Sequence, residues 1–78
     1  LKTWHRITRK QPDKGEIVWV KYEGNEYLGF RTENLPKYAV PQNRHWNFVV
    51  VDKNTKEGFF YSNAIVEWAK VKELNDVR

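Results

Sequence analysis

Seventy-eight residues without a cysteine fit one small domain held by its core alone, and exclude disulfides, thiolate metal sites and cysteine nucleophiles. Hydrophobic residues make up 40%, charged residues 31% and aromatic residues 15% of the chain, which excludes general disorder, since aromatic rings supply large burial per residue. The net charge of +4 is modest, and apolar runs such as Phe48–Val51 fall far short of the ~20 residues of a membrane-spanning helix.

The charge is uneven along the chain. Residues 1–14 balance to +4, residues 15–36 to −2, residues 37–56 to +3 and residues 57–78 to −1. Positive charge therefore concentrates in an N-terminal arm (Arg6, Arg9, Lys10) and in the middle (Lys37, Arg44, Lys53, Lys56). Such clusters raise the local concentration of anionic partners. A solvated surface that keeps a small protein soluble accounts for the same charge.

In chain order, the arm over residues 1–14 comes first, with Trp4 and Ile7 placed to cover a core. Gln11–Gly15 is a turn with Pro12 and Gly15. Glu16–Tyr22 is rich in β-branched and aromatic residues, and Glu26–Arg31 follows after Glu23-Gly24-Asn25. This pattern predicts a hairpin. Alternation puts Val18, Val20 and Tyr22 on one face and Ile17, Trp19 and Lys21 on the other. Leu28 and Phe30 are the expected inward pair of the second strand, and Gly29 between them marks a bulge or a close backbone approach.

Residues 32–44, with Pro36 and Pro41, read as a long loop of the kind that often carries function. Trp46–Asp52 is the third strand, Lys53–Glu57 a polar turn and Gly58–Tyr61 the fourth strand. A tight turn at Ser62–Ala64 leads to a last strand, Ile65–Val71, with Trp68 inside it, and residues 72–78 form a polar tail. Five short strands predict an all-β barrel or sandwich spanning residues 15–71.

Trp46, followed at a fixed distance by Gly58-Phe59-Phe60-Tyr61-Ser62-Asn63-Ala64-Ile65, resembles the distal half of SH3-like domains, as does Lys14-Gly15-Glu16 ahead of a strand. The resemblance implies a five-stranded SH3-like barrel in which Trp46 and Asn63 match ligand-contacting positions. The family's Pro and Tyr are replaced by Tyr61 and Ala64. Its early aromatic run has no counterpart in Trp4–Lys10. A looser pattern runs along the whole chain: Trp4, then Pro12-Asp13-Lys14-Gly15-Glu16-Ile17-Val18-Trp19-Val20, then Val66-Glu67-Trp68. It is similar to short phage and prophage proteins of unknown function, and implies a protein that blocks a host or defence component.

No chemistry stands out. The single serine, Ser62, is explained by its turn. His5 and His45 lack neighbours of a catalytic kind. No histidine pair has ligand spacing, the four glycines are isolated, and neither a metal nor a cofactor is expected. A non-enzymatic binding module is therefore the expected class.

Val18, Val20, Leu28, Phe30, Phe48, Val50, Phe60 and Ile65 suffice for a small core. Not every Trp and Tyr can join them: Trp19, Tyr27, Tyr38, Trp46, Tyr61 and Trp68 include several that alternation places outside or at a rim, a surplus over what a thin barrel needs. Beside the basic 37–56 segment they suit stacking on nucleic-acid bases or a nucleotide. The expected ligand-binding set is Tyr38, Arg44, Trp46, Tyr61 and Asn63, backed by the basic residues Arg6, Arg9, Lys10, Lys37, Lys53 and Lys56. The same residue types suit a protein interface, where Trp, Tyr and Arg dominate the energetics. No membrane contact is expected, and without a signal-like segment the expected compartment is the cytoplasm.

Overall fold

The computed structural model of the chain describes residues 1–33, 35, 36, 38 and 46–71. Six strands form one antiparallel sheet: β1 (His5–Arg6), β2 (Val18–Tyr22), β3 (Asn25–Arg31), β4 (Phe48–Val51), β5 (Phe59–Ser62) and β6 (Glu67–Lys70). Their order across the sheet is β1-β6-β2-β3-β4-β5. The all-β expectation holds. The expected closed barrel of five strands does not appear, because β1 and β5 stand at opposite edges and the sheet is not closed. The sixth strand comes from the N-terminal segment, where His5 pairs with Trp68 and Arg6 with Glu67.

The β2–β3 turn sets the register between these two strands. Tyr22 pairs with Asn25, so the loop is only Glu23-Gly24. Both residues have positive φ, 49° and 82°, as a type I′ hairpin turn requires. This two-residue turn brings Val18 opposite Gly29 and Val20 opposite Tyr27. Opposed residues share a face, so Tyr27 and Gly29 turn to the core, and Leu28 and Phe30 turn away from it. The expected inward placement of Leu28 and Phe30 is thus reversed. A shift of one residue exchanges every side chain of a strand between faces.

Gly29 does mark a close approach. A Cβ built there would lie 2.6 Å from the carbonyl oxygen of Val49 in the neighbouring strand. Only glycine lets β3 and β4 come this near.

The core gathers on the inner face. Ile7, Val18, Val20, Phe48, Val50, Ile65 and Trp68 form one buried cluster, with Tyr22, Tyr27, Trp46 and Phe60 packed against it. Trp68, counted among the surplus rings, is 1% exposed and is instead among the largest buried side chains. Its strand is shorter than expected, Glu67–Lys70 rather than Ile65–Val71. Ile65 still reaches the core from the preceding turn, where the Ala64 N–H donates to the Ser62 hydroxyl.

The first twelve residues contribute to this core. Ile7 is 3% exposed and Pro12 is fully buried. The Ile7 N–H donates to the Val66 carbonyl, extending the β1–β6 pairing. From Pro12 the chain crosses to the far end of the sheet, where Arg31 Nη1 donates to the Pro12 carbonyl and the Gly15 N–H to the Arg31 carbonyl.

Candidate binding surface

The face turned away from the core carries two rows of apolar side chains. Following the register, Leu28, Val51 and Phe59 form one row across β3, β4 and β5. Phe30, Val49 and Tyr61 form the next. None of the six belongs to the buried core, and Val51 and Phe59 are 43% and 36% exposed. Their strands are well paired, so the display is built on a fixed backbone rather than on loops. Phe59 and Tyr61 meet edge to face, with ring centroids 5.6 Å apart.

Toward β2 the character of the same face changes. Trp19 pairs with Leu28, but the Lys2 ammonium sits 4.8 Å from the Trp19 ring centroid and 3.0 Å from Glu26. Lys21 lies 4.4 Å from the Trp4 ring centroid and 3.4 Å from Glu67. The N-terminal residues thus cover the β2 side with cation–π contacts and ion pairs, and none of these contacts reaches the β3–β4–β5 side, where Val51 and Phe59 are exposed and Leu28, Phe30, Val49 and Tyr61 half-buried. A trough of about 410 Å³ runs along the boundary, lined among others by Trp19, Leu28, Val51, Asp52 and Lys53.

The residues singled out in the sequence do not converge on one site. Tyr61 lies on the open face. Tyr38, 86% exposed, shares with it a trough of about 270 Å³ that also touches Glu57, Phe59 and Phe60. Trp46 packs against the core cluster, with the Arg31 guanidinium 4.9 Å from its ring centroid. It therefore stands on the opposite side of the sheet from Tyr61, and the two rings do not form a joint stacking surface. Asn63 follows β5 and is partly buried. Arg44 and Lys37 lie outside the described residues, as does the tail 72–78.

Of the remaining basic residues, Arg6 belongs to β1 and the other four fall on turns. Arg9 and Lys10 close the turn after β1, both N–H groups donating to the Arg6 carbonyl. Lys53 and Lys56 belong to the β4–β5 turn, which is shaped by the Asn54 N–H donating to Asp52 Oδ1 and the Gly58 N–H donating to Thr55 Oγ1. The strand directions place both turns at the same end of the sheet. All five side chains are exposed. The other described lysines, Lys2, Lys14, Lys21 and Lys70, are instead paired with Glu26, Glu33, Glu67 and Glu16.

Glu33 is held below the usual carboxylate range by the hydrogen bond from Lys14 and by its charge, on the open surface. His5 stacks on Trp68 at 4.8 Å between ring centroids, a packing role. Among the described residues, no three His, Asp or Glu side chains form a group that could hold a metal ion. No described helix is long and apolar enough to cross a membrane.

Of the six residues on this face, only Tyr61 belongs to the ligand-binding set expected from the sequence. Val alternation in β4 placed Val50 inward, and the same alternation turns Val49 and Val51 outward. The signal for Leu28 and Phe30 was the two-residue length of the Glu23-Gly24 turn. Compared with known protein families, curated proteins and solved structures, the chain matches none.

Proposed function

We propose that this chain is a non-enzymatic protein-binding module whose contact surface is the open face of β3, β4 and β5. The observation that carries the reading is the pair of apolar rows, Leu28–Val51–Phe59 and Phe30–Val49–Tyr61, all outside the buried core, with Val51 and Phe59 exposed and the other four half-buried. An apolar centre with charged residues at its border is the usual anatomy of a protein interface. Its border carries both signs, since Asp52 and Lys53 line the adjoining trough together with Glu26. A phosphate backbone would favour one sign. The likeness to short phage proteins makes a host or defence protein the partner class, and the chain an inhibitor acting by occupancy.

The strand order β6-β2-β3-β4-β5 supports reading these five strands as a member of the SH3-like group with β1 added at one edge. On that reading the open face lies outside the barrel wall, away from the groove in which that group takes proline-rich peptides.

Nucleic acid or a nucleotide is the second reading. Arg6, Arg9, Lys10, Lys53 and Lys56 favour it, being exposed, outside ion pairs among the described residues, and placed at one end of the sheet, Arg6 in β1 and the other four on turns. The two readings separate in one experiment. Capture of a partner from nuclease-treated lysate is compared for the native chain, for Val51→Lys with Phe59→Lys, and for Arg9→Ala with Lys10→Ala. Loss only in the first double variant supports the protein reading. Loss with nuclease, or only in the second, supports the nucleic-acid reading, for which binding also falls steeply with salt.

A further inference from the structure

The two edges of the sheet are built differently. The β1 edge is two residues long, carries Arg6 and ends where Ile7 enters the core. Such shortness and charge discourage pairing with another chain. The β5 edge, Phe59–Ser62, has four residues with no charge and no proline.

Hydrogen bonding shows which groups that edge presents. The Asp52 N–H donates to the Gly58 carbonyl at 2.9 Å. In an antiparallel ladder bonded pairs alternate with non-bonded ones. Given the pairing of Val50 with Phe60 and Phe48 with Ser62, those residues bond to β4, and the backbones of Phe59 and Tyr61 point outward. The Phe59 carbonyl receives only a 3.3 Å bond from Thr55 Oγ1. Among the described residues, the outward N–H groups of Phe59 and Tyr61 have no hydrogen-bond partner. The trough shared with Tyr38 is lined by Phe59, Phe60 and Tyr61 in succession, so it follows the strand edge, and Tyr38 is itself 86% exposed.

We infer that the occupant of this edge is the β5 edge of a second copy of the chain, paired antiparallel about a two-fold axis through Phe60. The sequence is complementary to itself in that register. Phe59 of one copy opposes Tyr61 of the other, so the outward backbone groups form two bonded pairs. Phe60 opposes Phe60, Gly58 opposes Ser62 and Glu57 opposes Asn63. No like charges face each other, which is the usual obstacle to self-pairing. The apolar rows also join: Leu28–Val51–Phe59 of one copy continues into Tyr61–Val49–Phe30 of the next. This pairing uses the edge rather than the face, and stands whether or not the face binds a partner.

The test is the solution mass from about 10 μM to about 1 mM, together with amide hydrogen exchange of Phe59 and Tyr61, on the full chain. The mass should rise from 9.4 kDa toward twice that value. The two amides should exchange about tenfold more slowly at the top of the range. Tyr61→Pro removes an outward N–H and no ladder bond, and should stay folded and monomeric. Val51→Lys should still pair, although it damages the face. If Tyr61→Pro does not fold, the exchange measurement on the native chain decides. A mass of 9.4 kDa throughout overturns the inference. So does a dimer whose Phe59 and Tyr61 amides exchange freely, or protection that appears only when a different protein is added.

Discussion

The indole N–H of Trp68 donates to the backbone carbonyl of Lys10 at 2.7 Å, a link between residues 58 positions apart. It fastens the N-terminal turn to the last strand from inside the core. It also settles the indole's one polar atom, which burial would otherwise leave unpaired at a cost. Trp68→Phe keeps the aromatic packing in part, loses the bond and leaves space. Urea unfolding should show a loss of roughly 2–3 kcal/mol. Exchange at the Arg9 and Lys10 amides should accelerate more than exchange in β4. Unchanged stability would mean that the turn after β1 is held by its own backbone bonds.

Gly29 and Val49 make the closest backbone approach in the sheet among the described glycines. Alanine has the better intrinsic preference for regular structure, yet Gly29→Ala should destabilise by about 1–3 kcal/mol, because a carbonyl oxygen cannot swing aside as a side chain can. The check is the urea midpoint at unchanged slope. A gain in stability would show that β3 and β4 separate without cost.

Glu23 holds φ 49° in the turn that sets the register. Left-handed backbone costs an ordinary residue about 1–2 kcal/mol, and asparagine tolerates it better. Glu23→Asn should therefore raise stability by about 0.5–1 kcal/mol, read as a higher melting temperature with the same hairpin contacts. A fall would mean that Glu23 makes a compensating interaction in solution.

Lys14 and Glu33 form a 2.6 Å ion pair that lowers the Glu33 pKa. A depressed carboxylate pKa adds stability above the unfolded value, and that stability is lost as pH falls through the folded value. Lys14→Ala should return Glu33 to the ordinary range in a carboxyl-carbon NMR titration. Because the pair is exposed, the same change should leave neutral-pH stability nearly unaltered.

Much of the sheet was legible in the sequence, for reasons that particular residues make plain. Val18, Val20, Phe48 and Val50 alternate cleanly, and Gly29 signalled the close approach that the structure contains. The β1 strand was not legible, because His5–Arg6 is too short to show a period and forms only against β6. Hydrophobicity alone points Leu28 and Phe30 inward, because it does not set parity. The length of a turn does, and Glu23-Gly24 without Asn25 shifts it by one. Of the candidate site, Tyr61 was legible as a surplus ring outside the core. Trp46 was not, since its partners on the inner face lie far away in sequence.

The central claim, that the open face of β3–β4–β5 binds a protein partner, is tested most directly by amide chemical-shift mapping. The isotope-labelled chain is titrated with its captured, nuclease-treated partner. The account predicts perturbations centred on Leu28, Phe30, Val49, Val51, Phe59 and Tyr61, all lost in the Val51→Lys, Phe59→Lys chain. Perturbations centred on Arg6, Arg9, Lys10, Lys53 and Lys56, with the six apolar residues unmoved, would contradict it.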